Sequence, residues 1–257
     1  MSLLTQESSG PPDYKSILVD KKEYLWALLK SAGVVTILSY FFYRRWWGII
    51  MTLPLGVFYF KKEIKDRKIL QMKELTRQFK EYILAASGLI KAGYSVENAF
   101  CGCKKDMIEL FGNEGHICLE IEYIKRGLVI NMTLQELLED FALRSGIDEI
   151  GQFAGIFKIA GKSGGNMADI INDTANVISA GIDIMTEVDT VLSGRRLENK
   201  VMMFMPFFII GYLDFSYRGY LSQLYGNLKG VGIMTICLIV YVAAYLATEK
   251  IFKAMES

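Results

Sequence analysis

The feature that most constrains this chain is an uncharged apolar run near its C-terminus. Residues 230–248 read GVGIMTICLIVYVAAYLAT, and Lys229, Glu249 and Lys250 bound the run. At about 1.5 Å per residue, a helix of this length reaches nearly across the hydrocarbon layer of a bilayer. The run therefore predicts a membrane-spanning helix.

A second apolar run, at 201–217, precedes it and contains Pro206 and Asp214. Neighbouring helices can satisfy the backbone group that a proline leaves without a hydrogen bond, so we predict a kinked helix here and not a break. Together the two runs predict a C-terminal membrane hairpin at 201–250, followed by a tail at 251–257.

Two more apolar runs lie near the N-terminus, at 24–43 and 46–60, and the first is interrupted by Lys30. They predict an N-terminal membrane hairpin at 24–60 after a polar segment at 1–23. The run at 46–60 is short for a full span, so the sequence leaves open whether this hairpin crosses the bilayer completely.

Basic residues flank the middle of the chain at both ends, which predicts a cytoplasmic location for the region 61–200. Arg44 and Arg45, between the first two runs, favour the opposite orientation but are outnumbered. The basic residues that follow the first hairpin form an edge suited to lipid headgroups. This basic edge consists of Lys61, Lys62, Lys65, Arg67 and Lys68.

The region 61–200 predicts helices and no strands. It contains no proline, and apolar residues recur every three or four positions, as at Met72, Leu75, Phe79 and Ile83. Helices of this kind joined by tight corners pack as an antiparallel bundle. The predicted fold is therefore all-α, with one cytoplasmic helical bundle between two transmembrane hairpins.

Three corners separate the predicted helices, and each combines chain reversal with a polar side chain that caps the next helix. Gly93 suits a left-handed closing position, and Thr133 and Glu136 have the spacing of a capping box. The corner residues are Gly93, Ser95, Thr133, Glu136, Gly164, Gly165 and Asn166.

Motifs for catalysis are weak in this sequence, so we predict no enzymatic activity, cofactor or metal. Lys162 lies in the triplet Gly161-Lys162-Ser163. A phosphate-binding loop needs a glycine five positions before Gly161, but that position is Ile156. His116 is the only histidine, and the four cysteines are irregularly spaced, which predicts reduced thiols. The net charge of +1 gives no reason to expect a nucleic acid as partner.

Two of the corners resemble motifs of the type II secretion system F-domain family. Residues 89–99, LIKAGYSVENA, and 157–171, FKIAGKSGGNMADII, are similar to its two corner elements, and Pro206 is similar to a proline common in that family. One cytoplasmic domain between two hairpins is similar to the tight-adherence (Tad) subgroup. Asn131 and Met167 depart from the more usual glycine and leucine.

This resemblance implies a non-enzymatic inner-membrane platform of a pilus or secretion machine. The expected partners are membrane lipid, a cytoplasmic hexameric ATPase, pilin subunits, and a second platform subunit or a second copy of the chain. The basic edge then becomes a candidate contact with the ATPase as well as with lipid headgroups. The sequence leaves open the transported substrate, the choice between pilus and secretion, and the oligomeric state.

Two other functions compete with the platform hypothesis. A small membrane transporter or channel would use Asp214 and Lys30, the ionisable residues inside the apolar runs. A membrane-bound nucleotide enzyme would centre on Lys162.

Overall fold

The computed structural model describes residues 21–43, 47–162, 167–216 and 228–256. Within these ranges the chain forms nine helices and no strand, so the prediction of an all-α fold is confirmed. In chain order they are α1 (Lys21–Tyr43), α2 (Trp47–Lys91), α3 (Val96–Gly102), α4 (Lys104–Phe111), α5 (His116–Val129), α6 (Leu134–Ser145), α7 (Asp148–Lys162), α8 (Met167–Ser216) and α9 (Leu228–Glu256).

The described residues divide into two compact units. The first is a helical bundle at Lys68–Ile184, and the second takes the described parts of Val19–Arg67 and Met185–Ser257. Helix α2 begins in the second unit and ends in the bundle, whereas α8 begins in the bundle and ends in the second unit. Both helices are therefore shared by the two units.

Aromatic side chains fill the core of the bundle. The ring of Phe79 lies 6.0 Å from that of Phe141 and 5.7 Å from that of Phe153, both in edge-to-face arrangements. The ring of Tyr82 lies 5.5 Å from that of Phe100, and its hydroxyl donates a hydrogen bond to the Phe100 carbonyl at 3.0 Å. Rings of this size bury about 150–250 Å² each, so this cluster dominates the apolar core.

Helices α5 and α6 approach each other closely at Gly127, which is buried. A Cβ atom at this position would lie 2.5 Å from Cδ2 and 2.9 Å from Cδ1 of Leu137. Leu137 is itself fully buried, so it has little room to move away. The close packing of these two helices therefore depends on glycine.

The second unit contains the most apolar helix of the chain. Among the described residues, one segment is long and apolar enough to cross a membrane, Gly230–Phe252 of α9, and 17% of its most apolar window is buried. The core helix of a water-soluble protein is mostly covered, so this low burial is consistent with a spanning helix. It contains the run that the sequence predicts at 230–248.

The other predicted runs do not reach this length and apolarity within the described residues. Within α1, the apolar segment Tyr24–Ile37 is shorter than a full span. In α8, which continues through Pro206 without a break, Lys200 and Asp214 reduce the apolarity of the segment that follows the bundle. Residues 217–227 lie outside the described part of the chain.

Candidate functional site

The corner after α2 has the geometry of a Schellman motif. Gly93 has a φ of 93°, in the left-handed region. Its N–H bonds to the carbonyl of Ile90 at 3.0 Å, and the N–H of Tyr94 bonds to the carbonyl of Leu89 at 3.1 Å. These two bonds satisfy carbonyls that the helix end would otherwise leave without partners.

Polar side chains begin the next helices at both described corners. The Oγ of Ser95 accepts a hydrogen bond from the N–H of Asn98 at 3.4 Å. The Oγ1 of Thr133 accepts from the N–H of Glu136 at 3.2 Å, and the Glu136 carboxylate accepts from the N–H of Thr133 at 2.9 Å. These hydrogen bonds to the carboxylate lower the pKa of Glu136 below its ordinary value.

Asn131 occupies the left-handed position at the end of α5, with a φ of 63°. Its N–H bonds to the carbonyl of Leu128 at 3.1 Å, and the N–H of Met132 bonds to the carbonyl of Gly127 at 3.0 Å. Asparagine tolerates this conformation better than other residues with a side chain. The departure from the more usual glycine is therefore compatible with the same kind of corner.

The third predicted corner falls on Gly164, Gly165 and Asn166, which lie outside the described residues. Its geometry stays a prediction. The side chain of Lys162 is also outside the described part, so the hypothesis of a nucleotide site there stays untested.

The predicted basic edge divides into exposed and partly buried side chains. Lys61, Lys65 and Lys68 are exposed, whereas Lys62 and Arg67 are half-buried. The first three are therefore available to a partner or to lipid headgroups, and the other two make contacts within the protein.

Lys62 joins α2 to α9. Its Nζ donates a hydrogen bond to the hydroxyl of Tyr245 at 2.6 Å and lies 2.9 Å from Oε2 of Glu249. The same ammonium lies 4.7 Å from the centroid of the Tyr245 ring. A cation, a carboxylate and an aromatic ring thus meet near the end of the apolar segment of α9.

Glu63 joins α2 to α1 one residue further along. The Nζ of Lys30 donates to its Oε1 at 2.9 Å, and an Nη of Arg67 lies 3.7 Å from the same oxygen. We call the set of ionised and hydroxyl side chains in these contacts the polar layer. It consists of Lys30, Lys62, Glu63, Arg67, Tyr245 and Glu249.

The polar layer bears on the transporter hypothesis. Lys30 has a carboxylate partner in Glu63, with which it forms an ion pair between two helices. Asp214, the other residue of that hypothesis, is half-buried in α8. This ion pair accounts for the position of the Lys30 side chain, so an ion pathway is not needed to explain it.

The bundle contains a buried ion pair that the sequence analysis missed. Glu120 of α5 is fully buried, and both of its oxygens accept hydrogen bonds from the guanidinium of Arg144 in α6. Arg144 also donates from Nε to Asp140 at 2.7 Å and lies 4.8 Å from the Tyr123 ring centroid. Only the four-residue spacing of Asp140 and Arg144 is visible as a local signal in the sequence.

Burial alone would lower the pKa of Arg144, but the hydrogen bonds and charges of Glu120 and Asp140 outweigh it and raise that pKa. The guanidinium therefore stays charged and compensates the buried carboxylate of Glu120. This ion pair holds α5 against α6. Its carboxylate and guanidinium are already bonded to each other, so neither is offered for catalysis.

All four cysteines are free thiols, as the sequence predicts. Cys103 and Cys118 are buried, Cys101 is half-buried and Cys237 is exposed. Burial raises the pKa of Cys103 to about 12, so its thiol is not poised as a nucleophile. Among the described residues, no group of three His, Cys, Asp or Glu side chains is placed to hold a metal ion.

No family model, no curated protein and no solved structure matches this chain. The likeness to the F-domain family therefore depends on the sequence features described above.

Proposed function

We propose that this chain is a non-enzymatic platform in the cell membrane that couples a cytoplasmic hexameric ATPase to pilin subunits in a pilus or secretion machine. The observation that carries the proposal is the continuity of α2 and α8. Each runs as one helix between the bundle and apolar segments of the second unit. A force applied to the bundle by a motor would reach the apolar helices without a flexible loop in between.

The proposed topology is multi-pass, with hairpins at 24–60 and 201–250 and a cytoplasmic bundle. The apolar segment Gly230–Phe252 supports one of these spans by its length and composition. In α8, Phe204, Phe208 and Phe215 are among the most exposed large apolar side chains of the chain. Exposed aromatic residues in this number are costly in water and favourable against lipid.

The polar layer supports a mechanical role for the second unit. It connects α1 and α9 to α2 through the ion pairs Lys30–Glu63 and Lys62–Glu249, which lie just past the apolar part of α2. Helices tied in this way are expected to move together when α2 is displaced. Lifting a pilin from the bilayer requires such a concerted movement.

The exposed part of the basic edge is the proposed docking point for the ATPase. Lys61, Lys65 and Lys68 follow directly on the apolar part of α2, and all three are exposed. A motor bound here would act on the helix that enters the membrane.

Deletion of the gene, followed by imaging of surface filaments and measurement of secreted protein, tests the platform function. Loss of filaments or secretion with the ATPase still present is the expected result. Restoration by the wild-type gene is the control. Filaments and secretion that persist unchanged in the deletion strain would contradict the proposal.

Capture of the ATPase tests the docking point separately. The full-length protein is extracted in mild detergent, and co-purification of the secretion ATPase is compared between two triple charge reversals. Lys61→Glu with Lys65→Glu and Lys68→Glu is expected to lose the ATPase. The matched control reverses three exposed lysines elsewhere in the bundle, Lys91, Lys105 and Lys125, and is expected to retain it. Equal capture by both variants would assign the basic edge to lipid headgroups instead.

A further inference from the structure

One stripe of α2 carries the contacts with α1 and continues past them. Its members follow one another at alternating steps of four and three residues, so they lie on one face of the helix. We call this set the α1-facing stripe. It consists of Gly56, Phe60, Glu63, Arg67 and Leu70.

Helix α1 contacts the first three members of the α1-facing stripe. A Cβ atom at Gly56 would lie 2.5 Å from Cγ2 of Val35, and the ring of Phe60 lies 4.9 Å from that of Tyr24. The third member, Glu63, forms the ion pair with α1 described above. The later residue of α1 meets the earlier residue of α2, so the two helices are antiparallel. The start of α1 therefore points toward the last member of the stripe.

Exposure rises along the α1-facing stripe beyond these contacts. The side chains of Glu63 and Arg67 are 19% and 25% exposed, whereas Leu70 is 65% exposed. The next two residues in the same period, Glu74 and Arg77, are charged and pair with each other at 2.8 Å. Leu70 is therefore an apolar position on the α1 side of α2 that the described part of α1 leaves largely uncovered.

The chain that precedes α1 has the reach and the side chains to cover this position. Leu70 lies about 15 Å past Phe60 along α2. Ile17 precedes Tyr24 by seven residues, which span about 10 Å as a helix and about 23 Å as an extended chain. These lengths bracket the distance to Leu70. Residues 20–23 are all charged, so residues 17–19 are the first apolar residues before Tyr24.

We infer that residues 17–19 of the N-terminal segment pack on Leu70 of α2, with Ile17 as the main contact. Seven residues are two helical turns, so a helix that continued back from Tyr24 would present Ile17 on the face that meets α2. This segment is the occupant because the surface is continuous with the α1–α2 interface and because the chain before α1 runs toward it. The contact extends the pairing of α1 with α2 by two turns beyond Glu63. It does not rest on the platform function.

Disulfide cross-linking of the full-length chain in its native membrane tests the contact. Ile17→Cys is combined with Leu70→Cys or, as the matched control, with Ile69→Cys. Ile69 is the adjacent residue, is 40% exposed and lies about 100° around the helix axis. With a mild oxidant, we expect several-fold more disulfide within one chain from the pair at Leu70 than from the control pair.

The products of this experiment decide between occupants. Equal yields from the two pairs, or no disulfide from either, would overturn the inference. Ile17→Cys and Leu70→Cys carried on two differently tagged copies should give no mixed product. A disulfide that joins the two tags as efficiently as it forms within one chain would assign this face to a second copy and also overturn the inference.

Maleimide labelling of Leu70→Cys tests the contact without a cross-link. The water-soluble reagent is applied to the full-length protein, and mass spectrometry reads the peptide that contains residue 70. Ile17→Asp is expected to speed labelling several-fold, because an unpaired charge does not stay against an apolar side chain. Ser16→Asp adds the same charge at the neighbouring polar residue and should leave the rate unchanged. The same rate in both variants would refute the contact.

Discussion

The side-chain carbonyl of Gln78 in α2 accepts a hydrogen bond from the backbone N–H of Ile117, 3.0 Å away at the start of α5. The N-cap of α5 is Gly115, which has no side chain to bond this N–H. A residue 39 positions earlier therefore caps the helix. The amide of Gln78 is in turn held by Glu74, whose carboxylate accepts its N–H at 2.9 Å.

Replacing Gln78 with methionine is expected to destabilise the bundle by about 1–3 kcal/mol, because the buried N–H of Ile117 is left without an acceptor. Methionine keeps the length of the side chain, so the loss reports on the hydrogen bond. Amide hydrogen exchange of the full-length protein, read on peptides from α5, should become faster at its first turn.

The control for this variant is Gln152→Met, at an exposed position of α7. It is expected to leave exchange in α5 unchanged. Equal exchange in both variants would show that Gln78 does not cap α5.

Gly127→Ala is expected to cost about 1–3 kcal/mol, the usual range for overpacking a core. The new methyl group would meet Leu137, and a fully buried leucine cannot turn away without displacing its neighbours. The midpoint of thermal unfolding, measured by circular dichroism in detergent, should fall.

Gly155→Ala is the matched control, because a Cβ at this exposed position of α7 meets nothing within 4 Å. Alanine is favoured over glycine in a helix by up to about 1 kcal/mol, so this variant should unfold at the same temperature or higher. A Gly127→Ala protein as stable as the control would mean that α5 and α6 are less closely packed than described.

The sequence predicted the corners at Ser95 and Thr133 from local patterns, but it did not predict the contacts between residues that are far apart in the chain. Ser95, Thr133 and Glu136 act on N–H groups within three residues, so their roles are visible in a short segment of sequence. Ile117, whose N–H Gln78 binds, and Arg144, which pairs with Glu120, lie in other helices, so these contacts depend on how the bundle folds. From sequence alone, a glutamine or glutamate in an amphipathic helix is expected to be solvated. Its contact with another helix becomes known only from the structure.

Gly93→Ala is expected to lower stability by about 1–2 kcal/mol, the cost of a side chain in the left-handed conformation. The φ at this position is 93°, so the strain of the substitution lies in the backbone conformation itself. Gly88→Ala, five residues earlier within α2, is the control and should be neutral or stabilising, because a Cβ there meets nothing within 4 Å. Equal effects of the two substitutions on thermal unfolding would contradict the described corner.

Glu136 is expected to make the fold sensitive to acid. Its pKa is lower in the folded chain than its ordinary value of 4.5, because the N–H and hydroxyl of Thr133 bond its carboxylate. Such a group stabilises the fold fully above the ordinary value and loses this contribution as pH falls through the lowered value. Glu122 has a lowered pKa for a similar reason, since Lys104 donates a hydrogen bond to it.

Thermal unfolding measured from neutral pH to below 4.5 should therefore show a loss of stability on the acid side. Glu136→Gln keeps an acceptor for the capping box but cannot titrate, so its acid loss should be smaller than that of the wild type. Glu136→Ala lacks the acceptor at every pH and should be less stable at neutral pH as well. An acid loss identical in wild type and Glu136→Gln would assign the titration to other groups.

The membrane topology is less accessible to sequence than the corners, because it depends on contacts between helices. A charge in an apolar run is costly for a lone helix in a bilayer, and a partner in another helix can offset that cost. Lys30 is an example, because its ion pair with Glu63 depends on a second helix. Where a charge in an apolar run is paired by a residue of another helix, the burial of that run in lipid has to be measured directly.

Cys237 provides that test for α9. It is exposed on the protein and lies within Gly230–Phe252, so the proposed topology places it against lipid tails. A maleimide that carries a sulfonate does not enter hydrocarbon, because burying an unpaired charge is very costly. In lipid nanodiscs, mass spectrometry of the peptide that contains Cys237 should detect little labelling, and denaturation should make the thiol reactive. Lys105→Cys, exposed on α4 in the bundle, is the positive control. Labelling of Cys237 as fast as that of this control would place α9 in water and remove the support that this helix gives to a membrane platform.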